Sequence, residues 1–308
     1  MKQGSDMMSM MYRNNIQNDV PLFINIVEEC IQSFEWTARS LGPILLPPDE
    51  EREDLHQLTD IKIRDVVELG PGVPRRLAAV DASVIKLGLW GSGVLISLKG
   101  AVVRRSDDTL EVTVFGPVPK YVPLDGLDEA GGESAVLREL KWFERSLQVY
   151  AALHTDGEIL LFDSLLTKVE REVHEVSSYK DVIGVTKSSL LALKLKGLQG
   201  QPTRGKCVAL VVREDQPIVT LSKLSADGLL LRVDVWSNRN WREALNDLLS
   251  SDVLISGYPE TLTLAHAYSK QSWSEISVIR SLLMRMLGVE AVQAPNVRAA
   301  VLSPFDGT

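Results

Sequence analysis

Three stretches decide the fold: Leu77–Ile85 (LAAVDASVI), Val94–Arg104 (VLISLKGAVVR) and Leu110–Val118 (LEVTVFGPV). Each reads as a β-strand, and short turns join them, first Gly91–Gly93 and then Ser106–Asp108. Turn-length connections predict antiparallel neighbours, because parallel partners need a crossover of about a dozen residues or more. Upstream, the Pro/Gly cluster Pro71–Pro74 reads as a boundary. Beyond it, Phe23, Ile24, Val27, Ile31 and Phe34 recur at helical spacing and predict an amphipathic helix over Val20–Leu41. Pro43–Pro48 breaks that helix, and the acidic run Asp49–Asp54 suits the first turn of a second one.

Downstream, a Gly-rich loop (Asp125–Gly132) leads into a helix at Glu133–Leu153. The apolar run inside Glu158–Asp163 suits a central strand covered on both faces. Strands are then expected at Val182–Val185, Cys207–Val212, Leu229–Trp236 and Val253–Ser256. Helices are expected at Ser188–Leu195, at Trp241–Leu249, after Pro259 and at Ser274–Leu287. The fold class is therefore α/β, a mixed sheet with helices on its faces. The domain plan is a helical extension over 1–70, a main domain over 71–288 and a tail over 289–308. The extension and the tail are candidate dimer or partner surfaces.

The chain has 308 residues, 45% of them hydrophobic and 24% charged. That apolar content excludes a disordered chain. No run approaches the roughly 20 apolar residues of a membrane span, and the polar N-terminus has no secretory apolar region. Two cysteines exclude a disulfide framework and a cysteine-based zinc site, so a cytoplasmic protein is expected. The net charge of −8 argues, taken alone, against a general nucleic-acid binder.

Acidic residues stand where a core is expected. Asp81 follows an apolar strand run and has small neighbours; Asp163 ends Ile159–Phe162 in the same way. Either residue alone also fits a turn or helix cap. At ~100° per residue, Val136, Leu137, Leu140, Phe143, Leu147 and Ala151 form one apolar arc of the Glu133–Leu153 helix. Glu144 falls inside this arc, while Glu139 and Arg145 fall outside it. A carboxylate so placed needs a cation, either a basic side chain or a metal. Asp81, Glu144 and Asp163 together suit Mg²⁺ or Mn²⁺, ions that serve phosphodiester hydrolysis, commonly in pairs. Tyr258 precedes the Pro259 helix, and His266 shares a face with Leu262 and Ala265, a setting that a plain core histidine also fits.

Taken in order, these blocks resemble the NurA nucleases of archaea and bacteria. The resemblance covers roughly residues 70–270. It rests on Ala78-Ala-Val-Asp81-Ala-Ser83, the Glu144 helix, Leu160-Leu-Phe-Asp163-Ser164-Leu165, and Gly257-Tyr258-Pro259 followed by His266. Ile183-Gly-Val-Thr-Lys187-Ser188 is similar to the block in which that family carries a lysine. The resemblance implies an RNase H-like fold and a Mn²⁺-dependent (or Mg²⁺-dependent) deoxyribonuclease, of 5′–3′ exonuclease and single-strand endonuclease type. It also implies a homodimer that works with a hexameric HerA-type translocase in DNA-end resection. Asp81, Glu144 and Asp163 would be metal ligands, and His266 a ligand or phosphate contact. Tyr258 would supply an orienting hydroxyl, and Lys187 would meet a phosphate or the attacking water. Two departures stand out: Ala82 replaces a glycine, and Ser164 follows Asp163 with no glycine between them.

Basic candidates for DNA are Lys99, Arg104, Arg105, Lys194, Lys196, Arg204 and Lys206; Trp90, Trp236 and Trp241 are candidates for base stacking or for core. The rival reading is a catalytically weak or inactive subunit that partners the translocase. A more distant one is an RNase H-like enzyme acting on RNA or a recombination junction.

Overall fold

The computed structural model describes residues 65–90, 92–107, 109–123, 129–166, 180–186 and 205–287. The helices expected over 20–41 and 188–195, the acidic run 49–54, Lys187, Lys194, Lys196, Arg204 and the tail from 289 lie outside them.

The three deciding stretches form β2 (Leu77–Trp90), β3 (Gly93–Ser106) and β4 (Thr109–Pro123), antiparallel as expected. α1 (Glu129–His154) then crosses over to β5 (Ile159–Phe162), which pairs in parallel with β2. β6 (Asp181–Thr186) lies parallel to β5. The remaining strands, β1 (Asp65–Glu68), β7 (Val208–Arg213), β8 (Ile218–Lys223) and β9 (Leu231–Trp236), add antiparallel pairs. The nine strands run in the order β1-β7-β8-β9-β6-β5-β2-β3-β4. After β9 come α2 (Trp241–Ser251), the two-residue strands β10 (Leu254–Ile255) and β11 (Tyr258–Pro259), α3 (Glu260–Ser269) and α4 (Trp273–Leu287). The mixed α/β architecture is the one expected.

Alternation sorts side chains between two faces. One face carries Leu77, Ala79, Ile159, Leu161, Ile183, Val185, Val233 and Val235, and it packs against Ala244, Leu245 and Leu248 of α2 and Leu262 and Ala265 of α3. The other face meets α1. A Cβ placed on Gly100 would lie 2.1 Å from Leu147 Cδ1 and 3.0 Å from Phe143 Cε1, so α1 rests closely on β3 there.

Three strands, β1 and β8 of the sheet and the two-residue β11, lie outside the expected set, and the sheet begins at Asp65, before the expected boundary at 71. The Pro/Gly cluster is a strap along α2. The N–H groups of Gly70, Gly72, Val73 and Arg75 donate to Asn246 Oδ1 (3.0 Å), Ser250 Oγ (2.8 Å), Asp247 Oδ1 (2.7 Å) and Ser251 Oγ (2.8 Å). A chain that cannot form ladder bonds is thus satisfied by helix side chains. Burial raises the pKa of Asp247, but the Val73 N–H and the Arg239 and Arg75 guanidinium groups outweigh it and hold the carboxyl below its ordinary range.

The buried arc of α1 also differs from expectation. Arg145 and Gln148 are buried at 4% and 2% exposure, Leu137 is 54% exposed, and Glu144 is half-buried. The expected arc assumed that only apolar side chains face inward, whereas the C-terminal half of α1 is enclosed over a broad arc that includes polar groups. Lys180 Nζ donates to the carbonyls of Ala152 (2.8 Å) and Thr155 (2.9 Å) and so closes the end of α1.

Candidate active site

Strand register brings two carboxylates together. Val80 pairs with Phe162 in the parallel β2–β5 ladder, so the next residues, Asp81 and Asp163, emerge side by side. Neighbouring strands lie about 4.8 Å apart, and the alternation that puts Ala79 and Leu161 on the α2/α3 face puts both carboxylates there too. β5 stops at Phe162 while β2 continues, which opens the sheet on one side of the pair. Asp81 is buried and Asp163 half-buried.

α3 lies over this opening. The β10–β11 hairpin turns through Ser256 (φ 53°) and Gly257 (φ 85°), both left-handed, as a two-residue hairpin turn demands. A Cβ on Gly257 would meet Gly228 Cα at 2.8 Å, so glycine is needed there for space as well as for φ. The next residue, Tyr258, is buried against the core with its hydroxyl close to the Asp163 carboxylate. Burial, then the charge of Asp163 and its hydrogen bond, then the charge of Asp81 push the phenol far above its ordinary value. Tyr258 is therefore a neutral donor.

Nearly two helical turns into α3, His266 Nδ1 donates to Asp81 Oδ2 at 2.9 Å. Nε2 is then the nitrogen left for other partners, on a side chain 44% exposed. Ser269, not singled out from sequence, donates from Oγ to the same Oδ2 at 2.8 Å. Ser83 Oγ in turn donates to the Ser269 carbonyl at 2.6 Å. Among the described residues, the hydrogen bonds to Asp81 end on Oδ2 and none reaches Oδ1. The i, i+3 spacing of His266 and Ser269 was the available signal for the serine.

β3 braces both ends of α3. Arg105 meets Asp252 Oδ1 at 3.2 Å and pairs with Glu260 in the first turn. Asp252, its side chain fully buried, accepts from Thr261 N (3.2 Å) and Oγ1 (2.6 Å). At the other end, Lys99 Nζ donates to the Lys270 carbonyl (3.1 Å) and Glu275 Oε1 (2.7 Å). Lys99 and Arg105 therefore do not serve as the free DNA contacts expected of them. Arg104 pairs with Glu111 (2.6 Å) and Lys206 with Glu68 (3.0 Å). Trp236 is buried rather than available for stacking, and Trp90 stands edge-on to Tyr121, with ring centroids 5.3 Å apart.

The structure thus gathers Asp81, Asp163, Tyr258, His266 and Ser269. Glu144 projects from α1, whose Phe143 and Leu147 press on the opposite face of the sheet. Among the described residues, no three His, Cys, Asp or Glu side chains form a ready cage for an ion. The donor chemistry still suits a hard cation, since Mg²⁺-like ions keep several waters and take one or two carboxylates plus substrate phosphate. Alternation turns the Ala82 methyl away from Asp81, so that departure lies outside the acidic pair.

No protein-family model matches the chain, and no curated protein matches it. Among solved structures, the NurA nuclease from Sulfolobus solfataricus matches with a TM-score of 0.51 at 12% identity, covering 91% of this chain and 100% of that one. A further NurA crystal structure gives 0.55 at 12% identity, over 86% of this chain and 98% of its own. NurA bound to dAMP and manganese gives 0.51 at 10% identity, over 92% and 100%. Identities this low speak to the fold alone. This chain has the fold of the NurA nucleases.

Proposed function

We propose that this chain is a metal-dependent deoxyribonuclease whose site is the Asp81–Asp163–Tyr258–His266 cluster. The observation that carries the reading is the register-locked pair of carboxylates, capped by a tyrosine from the β10–β11 hairpin and a histidine from α3, the helix that follows it. A divalent ion, Mn²⁺ or Mg²⁺ and singly or as a pair, would be held by Asp81 through Oδ1 and by Asp163. Glu144, on α1 across the sheet, is the third carboxylate assigned to the ion. When bound, such an ion polarises the phosphate and lowers the pKa of water.

The chain's own groups do the rest. Asp81 fixes the His266 ring by accepting from Nδ1, which leaves Nε2 to take a proton from the attacking water or to meet a phosphate oxygen. Tyr258, held neutral, donates to Asp163 and keeps it aimed at Asp81. Lys187 directly follows β6 in sequence and is assigned to a phosphate or the attacking water. By likeness to the NurA structures, one of them bound to dAMP and manganese, the substrate is DNA and the preferred ion Mn²⁺. The finer reading is a cytoplasmic homodimer of 5′–3′ exonuclease and single-strand endonuclease type, acting in end resection with a HerA-type hexameric translocase. No described helix is long and apolar enough to cross a membrane.

The test is cleavage of labelled single- and double-stranded DNA with MnCl₂, using Asp81→Ala as control. Cleavage by wild type that the variant lacks supports the enzyme. Equal residual cleavage by both sinks it and favours an inactive partner subunit.

A further inference from the structure

β9 carries a charge pair that the chemistry above does not use. Arg232 and Asp234 are 3% and 1% exposed, with Arg232 Nε donating to Asp234 Oδ1 (2.9 Å) and Nη2 to Oδ2 (3.1 Å). They lie on the face opposite Val233 and Val235, away from the α2/α3 core. A buried pair of this kind adds little stability compared with apolar residues of similar shape. Its position is more telling. Asp234 stands opposite Gly184 in the β6–β9 ladder, and Gly184 stands opposite Phe162, the residue before Asp163.

The chain leaving Asp163 crosses over Gly184 to reach this pair. A Cβ at position 184 would come within 2.4 Å of the Ser164 carbonyl oxygen and 3.0 Å of Leu166 Cγ. Leu166, 2% exposed, then donates its N–H to Asp234 Oδ2 at 3.2 Å. The turn over 163–166 is therefore gripped in its middle by a missing side chain and at its end by a buried carboxylate. A backbone N–H bound to an ionised acceptor is a strong restraint, and Arg232 is what keeps that acceptor oriented.

We propose that the Arg232–Asp234 pair is a positioning device for Asp163. Acting through the Leu166 amide, it locks the turn that sets Asp163 beside Asp81. Neither residue touches substrate. The inference rests on the nuclease reading for its functional consequence, while the turn lock itself can be measured without cleavage.

The test uses the full chain and the double variant Arg232→Leu/Asp234→Leu, which removes both charges of the pair together and takes the acceptor from the Leu166 N–H. Five quantities are read: metal-free thermal unfolding, affinity for MnCl₂ alone by calorimetry, hydrogen exchange of the peptide containing Leu166, and kcat and KM on labelled single-stranded DNA. The expected result is a folded variant with faster exchange at Leu166 and Mn²⁺ affinity and kcat both lowered about ten- to a hundredfold, with KM unchanged. A folded variant with wild-type exchange, Mn²⁺ affinity and kcat overturns the proposal. If the double variant does not fold, Gly184→Ala displaces the same turn and leaves the pair in place. The same losses are expected from it, and wild-type values again overturn the proposal. A wild-type chain that neither binds Mn²⁺ nor cleaves DNA defeats the nuclease reading; loss of Leu166 protection in the variant still separates the turn lock from that failure.

Discussion

Arg105→Met distinguishes a brace from a DNA contact. If Arg105 met phosphate, its loss would reduce the salt dependence of DNA binding by about one unit of slope and leave stability alone. The structure gives the opposite expectation. Arg105 keeps only 13% side-chain exposure, and its partner Asp252 keeps none. Removing one member of a buried pair costs about 3–5 kcal/mol, and the residual exposure of Arg105 points to the lower end, about 3 kcal/mol. At about 2–4 °C per kcal/mol, the midpoint falls by about 6–12 °C. The sign of the pH dependence follows from Asp252, whose carboxyl is pushed above its ordinary value by burial, against the hydrogen bonds from Thr261 and the charge of Arg105. A raised carboxyl holds a proton in the folded state over a window where the unfolded chain has released it, so stability falls as pH rises through that window. Without Arg105 the window widens. The penalty is therefore largest near neutral pH and shrinks at mildly acid pH as Asp252 takes up its proton. Adding Asp252→Asn removes the orphaned charge and recovers most of the loss. Urea unfolding of metal-free protein at both pH values checks this. An unchanged midpoint with a reduced salt slope would refute the brace.

Asp81→Asn and Asp163→Asn are expected to abolish Mn²⁺-dependent cleavage while metal-free thermal unfolding stays level or rises, since each removes one of two adjacent carboxylates. Differential scanning fluorimetry beside a gel assay decides it. Ser269→Ala removes one of the two donors on Asp81 Oδ2; about 1 kcal/mol of stability and about a tenfold drop in kcat are expected, read by unfolding and steady-state kinetics. Lys99→Met alters acid stability. Burial raises Glu275, but the Lys99 and Ser272 hydrogen bonds prevail and its pKa is lowered, so its contribution is present above the ordinary carboxylate value and lost as pH falls through the folded one. The variant should lose this contribution near neutral pH and show a flatter stability curve on the acid side.

Much of the sheet was legible because its signals are local. The β2–β3–β4 meander follows from turn spacing, and β5 from an apolar run ending in Asp163. Asp81, Asp163, Tyr258 and His266 were named from strand ends and a helix entry, and the structure draws these four together. What escaped was non-local. β1 is four residues long and half-polar, and only its pairing with β7 makes it a strand. Lys99 and Arg105 look like surface cations on the page of sequence, because their partners lie more than 140 residues away. The arc of α1 was misjudged for a related reason: what covers a helix decides which polar groups it buries, and Arg145 is inside.

The spacing of those two cations explains how the site is set. Lys99 and Arg105 are six residues apart on one strand and share a face, a span of about 20 Å. α3 has ten residues, about 15 Å of helix, and its partners extend one residue beyond the C-terminal end and several before the first turn. Each end of α3 is therefore tied to a fixed point on β3. A slip of α3 by one turn, about 5.4 Å, would break both ties, along with the Ser83–Ser269 bond. His266 and Ser269 then meet Asp81 without needing to hold the helix themselves. Under the proposed function, the Asp81 carboxylate can then change partners while the scaffold stays put. It also relocates the question raised by the net charge of −8: Lys99 and Arg105 are spent on aligning the site, so under the proposed function a DNA substrate would be drawn there by bound cations and by other basic residues of the chain.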